Sequence, residues 1–145
     1  MPLHPNQKRS PLPYPFILEA LAPLHPEVRP MFGGHSIYIG DKVVFMLRDR
    51  PSTPADNGLW LIFTNQEDAE LPTPTHPNPL RSQFPSLRPI QLLEGKIKHW
   101  LLLPADSEDF ESEALKACDL ALAHNPHLGR IPKSRRTPLK QSGKQ

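Results

Sequence analysis

The sequence predicts an α+β fold: an antiparallel sheet of about five strands set between an N-terminal and a C-terminal helix. Three observations predict it. The apolar segments HSIYI (35–39) and KVVFML (42–47) are joined by only two residues, Gly40-Asp41, which is a hairpin signature. Two further apolar runs, LWLIF (59–63) and KIKHWLLLP (96–104), follow without the helical crossovers that parallel strands need. Segments of helical periodicity bracket the set.

In chain order, YPFILEALAPL (14–24) carries Phe16, Ile17, Ala20, Leu21 and Leu24 at helical spacing, with Pro15 in the tolerated first turn. HPEVRP reads as the stop after it. In the hairpin, a regular register sets Ile39 opposite Lys42, Ile37 opposite Val44 and His35 opposite Met46 on one face. Tyr38 then faces Val43, and Ser36 faces Phe45, on the other. LWLIF alternates Leu59, Leu61 and Phe63 against Trp60 and Ile62, so neither face is polar. Residues 64–79 read as a long surface loop and 80–87 as one helical turn. Strands are expected around Ile90 to Leu92 and, ended by Pro104, over 96–104. The last helix opens on Asp106 or Ser107, places acids in its first turn, aligns Phe110, Ala114, Ala117, Cys118 and Ala121, and stops at Asn125-Pro126.

The 145 residues suit one domain, with a disordered proline-rich arm at 1–13, the domain at 14–131 and a disordered basic tail at 132–145. Twenty prolines against seven glycines mark the arms and loops rather than the apolar runs. From Arg130 onward there are six cations and no acid, leaving residues 1–129 with 11 Lys and Arg against 15 Asp and Glu, a balance of −4. The single cysteine excludes an internal disulfide, and no apolar run has the length of a signal-peptide core or a membrane span, so a cytoplasmic protein with no membrane partner is expected.

Few residues suggest chemistry. Gly33-Gly34 runs from a loop into a strand, the reverse of the strand-to-helix order of phosphate loops. Ser36 in GHSIY lacks the second glycine of a nucleophile elbow. Tyr38 and Lys42 have a dehydrogenase-like spacing, but a turn intervenes. His124 and His127 flank Asn125-Pro126 without metal-ligand geometry, and Cys118 falls on an apolar stripe as a buried, inert thiol. His35 and His99, which a sheet could bring face to face, are the one candidate pair. No catalytic residue, metal or cofactor is expected. Arg130, Lys133, Arg135, Arg136 and Lys140 are candidate nucleic-acid contacts, sequence-independent and salt-sensitive. A tail of this kind also serves solubility alone.

RPMFGGHSIYIGDKVVFML (29–47), followed by LWLIF, a strand ending in LLLPAD and a helix beginning SEDFESEALKACDLAL, resembles the TfoX N-terminal domain-like family of small bacterial proteins. The resemblance spans residues 14 to 131, and its most specific part is Met31-Phe32-Gly33-Gly34. It implies a compact α+β domain of secretion-chaperone-like architecture and a regulatory or unassigned role without general catalytic machinery. The family is named for a competence regulator, and the lack here of that regulator's second domain, with the enlarged loops 49–57 and 64–79, argues against a competence role. In this reading the motif is structural: Met31 and Phe32 plug the core where the first helix meets the sheet, and Gly33 and Gly34 let the backbone turn. Because two short helices cannot cover both apolar faces of the sheet, the proline-rich arms, a second copy of the chain or a different protein must cover the remainder, and a homodimer or an adaptor binding another macromolecule is expected.

Overall fold

The computed structural model describes residues 12–132. Most of the expected arm and tail, including Lys133, Arg135, Arg136 and Lys140, lies outside them. The order is α1 (Pro15–Leu21), β1 (Glu27–Met31), β2 (Gly34–Ile39), β3 (Lys42–Arg48), β4 (Gly58–Ile62), α2 (Pro79–Ser82), β5 (Arg88–Pro89), β6 (Trp100–Pro104) and α3 (Phe110–Leu122), with single 3-10 turns at 22–24, 54–56, 66–69 and 91–93. The six strands form one antiparallel sheet in the order β1-β2-β3-β4-β6-β5.

Both long helices pack on one face. Ile17 and Leu21 of α1 and Phe110, Ala114, Ala117, Cys118 and Ala121 of α3 are buried against Ile37, Phe45, Leu59 and Leu61 of the central strands. The helical stripes thus fall where the sequence places them. The small residues of α3 bring it close, and α1 lies alongside it. α3 starts later than expected: Asp109 is the N-cap, and the Ser107 hydroxyl accepts from the Asp109 amide (3.2 Å) and bonds the Ser86 hydroxyl (3.0 Å) ahead of the helix.

β1 is the strand that sequence reasoning missed, because Pro26 and Pro30 make HPEVRP read as a break. It is tolerated at the sheet edge. A two-residue turn is flanked by a hydrogen-bonded pair, here Met31 and Gly34, so Arg29 and Glu27 also bond toward β2 while Pro30 faces outward, where its missing N–H costs no ladder bond. The other edge strand, β5, is two residues long and ends in Pro89. Both edges are therefore poor templates for a further strand.

The first hairpin corrects the expected register. Ile39 pairs with Lys42 and Tyr38 with Val43 as expected, but Ile37 pairs with Phe45, Ser36 with Met46 and His35 with Leu47. A bulge at Val44 inserts one residue, sending Val44 and Phe45 together toward the helices and turning Met46 to the far side. The expected strand at 90–92 is instead a 3-10 turn, and β6 begins only at Trp100.

The second face, remote from the helices, is closed from within the chain. Met46, Trp60, Ile62 and Leu102 are wholly buried there, covered by Phe32, Trp100, Met31 and the segment bearing Ile90 and Leu93. Much of its apolar surface is therefore covered from within the chain, while Phe32 stays 46% exposed at its rim. After α3 the chain returns to the sheet and wedges between β3 and β4 where they part: Arg130 exchanges both backbone bonds with Val43 (2.8 and 3.0 Å), and Gly129 N–H donates to Ile62 (2.7 Å).

A methyl group at Gly34 would lie directly against the Leu47 carbonyl oxygen and 2.8 Å from Met46 Cε. Gly34→Ala is expected to lower unfolding free energy by about 1–3 kcal/mol through overpacking, measured by urea denaturation.

Candidate functional site

The Met-Phe-Gly-Gly run is itself a hairpin tip. Phe32 and Gly33 are the two central residues of the β1–β2 turn, both with positive φ (50° and 75°), the pattern of a type I′ turn. Glycine suits its position. A phenylalanine in the left-handed region costs about 1–3 kcal/mol and persists only where its surroundings hold it. They do so here by ring contacts: Phe32 stacks on Trp60 (centroids 6.1 Å, interplanar 28°) and meets Trp100 edge-on (5.8 Å, 74°), while Trp60 and Trp100 touch at 6.2 Å. Each such pair contributes about 0.5–1.5 kcal/mol beyond area burial. Arg48, buried, donates from Nε to the Phe32 carbonyl (3.4 Å) and from Nη1 to the Thr53 carbonyl (2.9 Å), fixing the turn to the 50–57 loop. Phe32 therefore does not plug the core under α1, as the sequence suggests. It lies on the opposite face, and 46% of it remains exposed.

Beside the cluster, where β5 ends and leaves β6 uncovered, is a pocket of about 350 Å³. Ile90, Leu93, Ile97, Trp100 and Leu101 form its walls. Gln66 and Glu70 border it from the turn after β4, and Lys98 from the β5–β6 loop. One wall is held by a buried carboxylate: Asp56 accepts the Gln91 and Leu92 amides at 2.8 Å each, pinning the turn that carries Ile90 and Leu93, and its carbonyl accepts the Trp60 indole N–H (2.9 Å).

The third component is Arg130. Its Nη1 lies 3.0 Å from His99 Nε2, and the His99 ring meets Trp100 edge-on at 6.1 Å. Burial, and then the adjacent guanidinium, push the His99 pKa down to about 4, so the imidazole is neutral at physiological pH. Among the described residues Arg130 meets no carboxylate, and its charge stays uncompensated.

His35 and His99 are not brought together. β3 and β4 stand between their strands, about 14 Å at ordinary strand spacing, and His35 is level with Leu47 while His99 lies beyond the far end of β4, bonded to Phe63. Cys118 is buried, and burial, aided by Asp119, pushes its thiol up to about 12, far from reactive. Ser36 bonds the Arg29 carbonyl within the sheet (3.0 Å). Among the described residues no group of three or more His, Cys, Asp or Glu could hold a metal ion, and no helix is long and apolar enough to cross a membrane. Sequence reasoning missed Trp60, Trp100 and Asp56. The two tryptophans were visible as same-face residues of neighbouring strands, whereas nothing local marks Asp56, whose partners lie some 35 positions away.

These elements define a small α+β protein whose accessible features are an aromatic hairpin tip, an edge pocket and an arginine that, among the described residues, has no carboxylate partner. Compared with known proteins, the chain matches no family model, no curated protein and no solved structure.

Three outcomes are expected. Folded His99 resists protonation until about pH 4 while the unfolded chain takes up the proton near 6.5, so its contribution to stability is present above 6.5 and lost as pH falls toward 4. His99→Gln should flatten that part of the pH–stability curve relative to wild type, and Arg130→Gln should move the His99 titration upward, read by NMR. Asp56→Ala, which removes the buried carboxylate that accepts the Gln91 and Leu92 amides, is expected to cost about 1–3 kcal/mol in urea unfolding.

Proposed function

We propose that this chain is a non-enzymatic binding or regulatory module of the TfoX N-terminal-like type, with a secretion-chaperone-like architecture, acting in the bacterial cytoplasm through protein–protein contacts with a partner or a second copy. The sequence resemblance over 14–131 supports the family reading, and the α+β fold with one antiparallel sheet is compatible with it. One observation carries the contact surface: a half-exposed Phe32 in a strained backbone conformation, seated on two tryptophans. Local strain at an exposed aromatic is a common mark of a recognition point, because a rigid ring presents apolar area at low entropic cost. With both sheet edges blocked by proline, such contacts use side chains of the second face instead of strand addition.

A second reading, a nucleic-acid-associated regulator, is favoured by the uncompensated Arg130 next to His99 and Trp100, from which the cation-rich sequence of the tail continues.

Phe32→Asn keeps a residue that tolerates positive φ while removing the ring. A protein captured from native cytoplasm by the wild type and lost by Phe32→Asn, at comparable melting temperature, is the expected result; light scattering on the same pair reports self-association. Equal capture by the two forms, with no change in mass, would overturn Phe32 as the contact.

A further inference from the structure

We propose that the pocket beside Trp100 holds one nucleotide unit, its base between the aliphatic walls and the Trp100 ring and its phosphate toward Lys98 and Arg130. The proposal rests on the second reading above and gives it a site. Volume permits it, since about 350 Å³ exceeds what a single base requires. Chemistry favours it over an entirely apolar ligand. Ile90, Leu93 and Trp100 bring apolar side chains and an indole to its lining, and bases stack on aromatic rings with a gain of about 1–3 kcal/mol per base. Gln66 and Glu70 border the same space with groups able to address a base edge, and Lys98 adds a cation from the other bordering segment.

Among the described residues neither the Glu70 carboxylate nor the Lys98 ammonium has a hydrogen-bond or ion-pair partner, whereas Lys96 is paired with Glu94 and Arg29 with Glu27. Arg130 stands one imidazole away from the Trp100 ring, anchored by its own backbone to Val43 and facing a neutral partner. A carboxylate only accepts hydrogen bonds; the adenine N6 amine donates from outside the ring, whereas the N3–H of thymine and uracil lies between two carbonyl oxygens that repel the carboxylate, so Glu70 favours adenine. The five further cations after Arg130 supply sequence-independent attraction for a longer strand.

The test uses the full chain with fluorescein-labelled (dA)8 and (dT)8, and with dAMP and dTMP, in 50 mM salt. The expected results are about tenfold tighter binding of (dA)8 than (dT)8, quenching of tryptophan fluorescence that Trp100→Phe abolishes while Trp60 still emits, and loss of the base preference in Glu70→Gln. Lys98→Gln should weaken both oligonucleotides and lower the salt slope by about one. Glu70 and Lys98 are exposed, so these variants fold as the wild type does. Removing residues 133–145 should weaken all strands alike and keep the base preference. Oligonucleotides binding at least tenfold tighter than dAMP identify a strand as the ligand; equal affinity, with the same preference, identifies the free nucleotide. If oligonucleotides bind but with no base preference and no response to Glu70→Gln or Lys98→Gln, the pocket assignment is overturned while the tail reading stands. No binding of any probe overturns both.

Discussion

Trp60 is the residue on which the rest of the structure leans. It sits wholly buried in the central strand β4, and its strand has no polar face, so the fold must close both sides of one sheet with only two helices of useful length. The helices close the first side. On the second, Trp60 provides the floor on which Phe32 stacks and against which Trp100 leans, while its indole N–H finds the Asp56 carbonyl. Burying each large apolar side chain is worth about 1.5–3 kcal/mol, enough to hold a phenylalanine in an unfavourable backbone region. The hairpin tip, the pocket wall and the 50–57 loop all take their positions from this one indole.

Buried charge does comparable work in the loops. Arg81, 6% exposed, donates to the carbonyls of Ala69, Phe84 and Leu87, and Glu113 accepts from Ser86 through both its amide and hydroxyl. Burial lowers the Arg81 pKa and Glu113 opposes the shift. Such groups hold irregular segments to the core where no ladder can, because an unbonded buried carbonyl costs more than the net gain of a typical bond. In this way a chain with 20 prolines keeps long loops in one arrangement.

The α+β class, both helical stripes, the Gly40-Asp41 turn and the two-sided character of β4 were legible in the sequence because each is set by local periodicity or by glycine conformation. The misreadings have a common cause. β1 hides behind Pro26 and Pro30, whose compatibility with a strand depends on which side of the sheet they face. The Val44 bulge leaves no local signal, since Val, Phe and Met suit either face of an apolar sheet. Phe32 was assigned to the wrong side because the missing strand moved the turn by several residues. Of the site, the sequence exposed Arg130 and the Met-Phe-Gly-Gly run, but the pocket joins segments thirty residues apart and the pairing of Arg130 with His99 spans 31 positions, distances over which patterning is silent.

The returning segment 127–130 has a consequence for how the protein is made. Arg130 and Gly129 bond the backbone of Val43 and Ile62 in the gap between β3 and β4, and the His127 carbonyl accepts the Thr64 amide beside them. Until those residues emerge from the ribosome, the middle of the sheet stays unzipped at one end, however early its hairpins form. The domain cannot mature segment by segment during translation, and a nascent chain stalled inside α3 would present that open seam to chaperones.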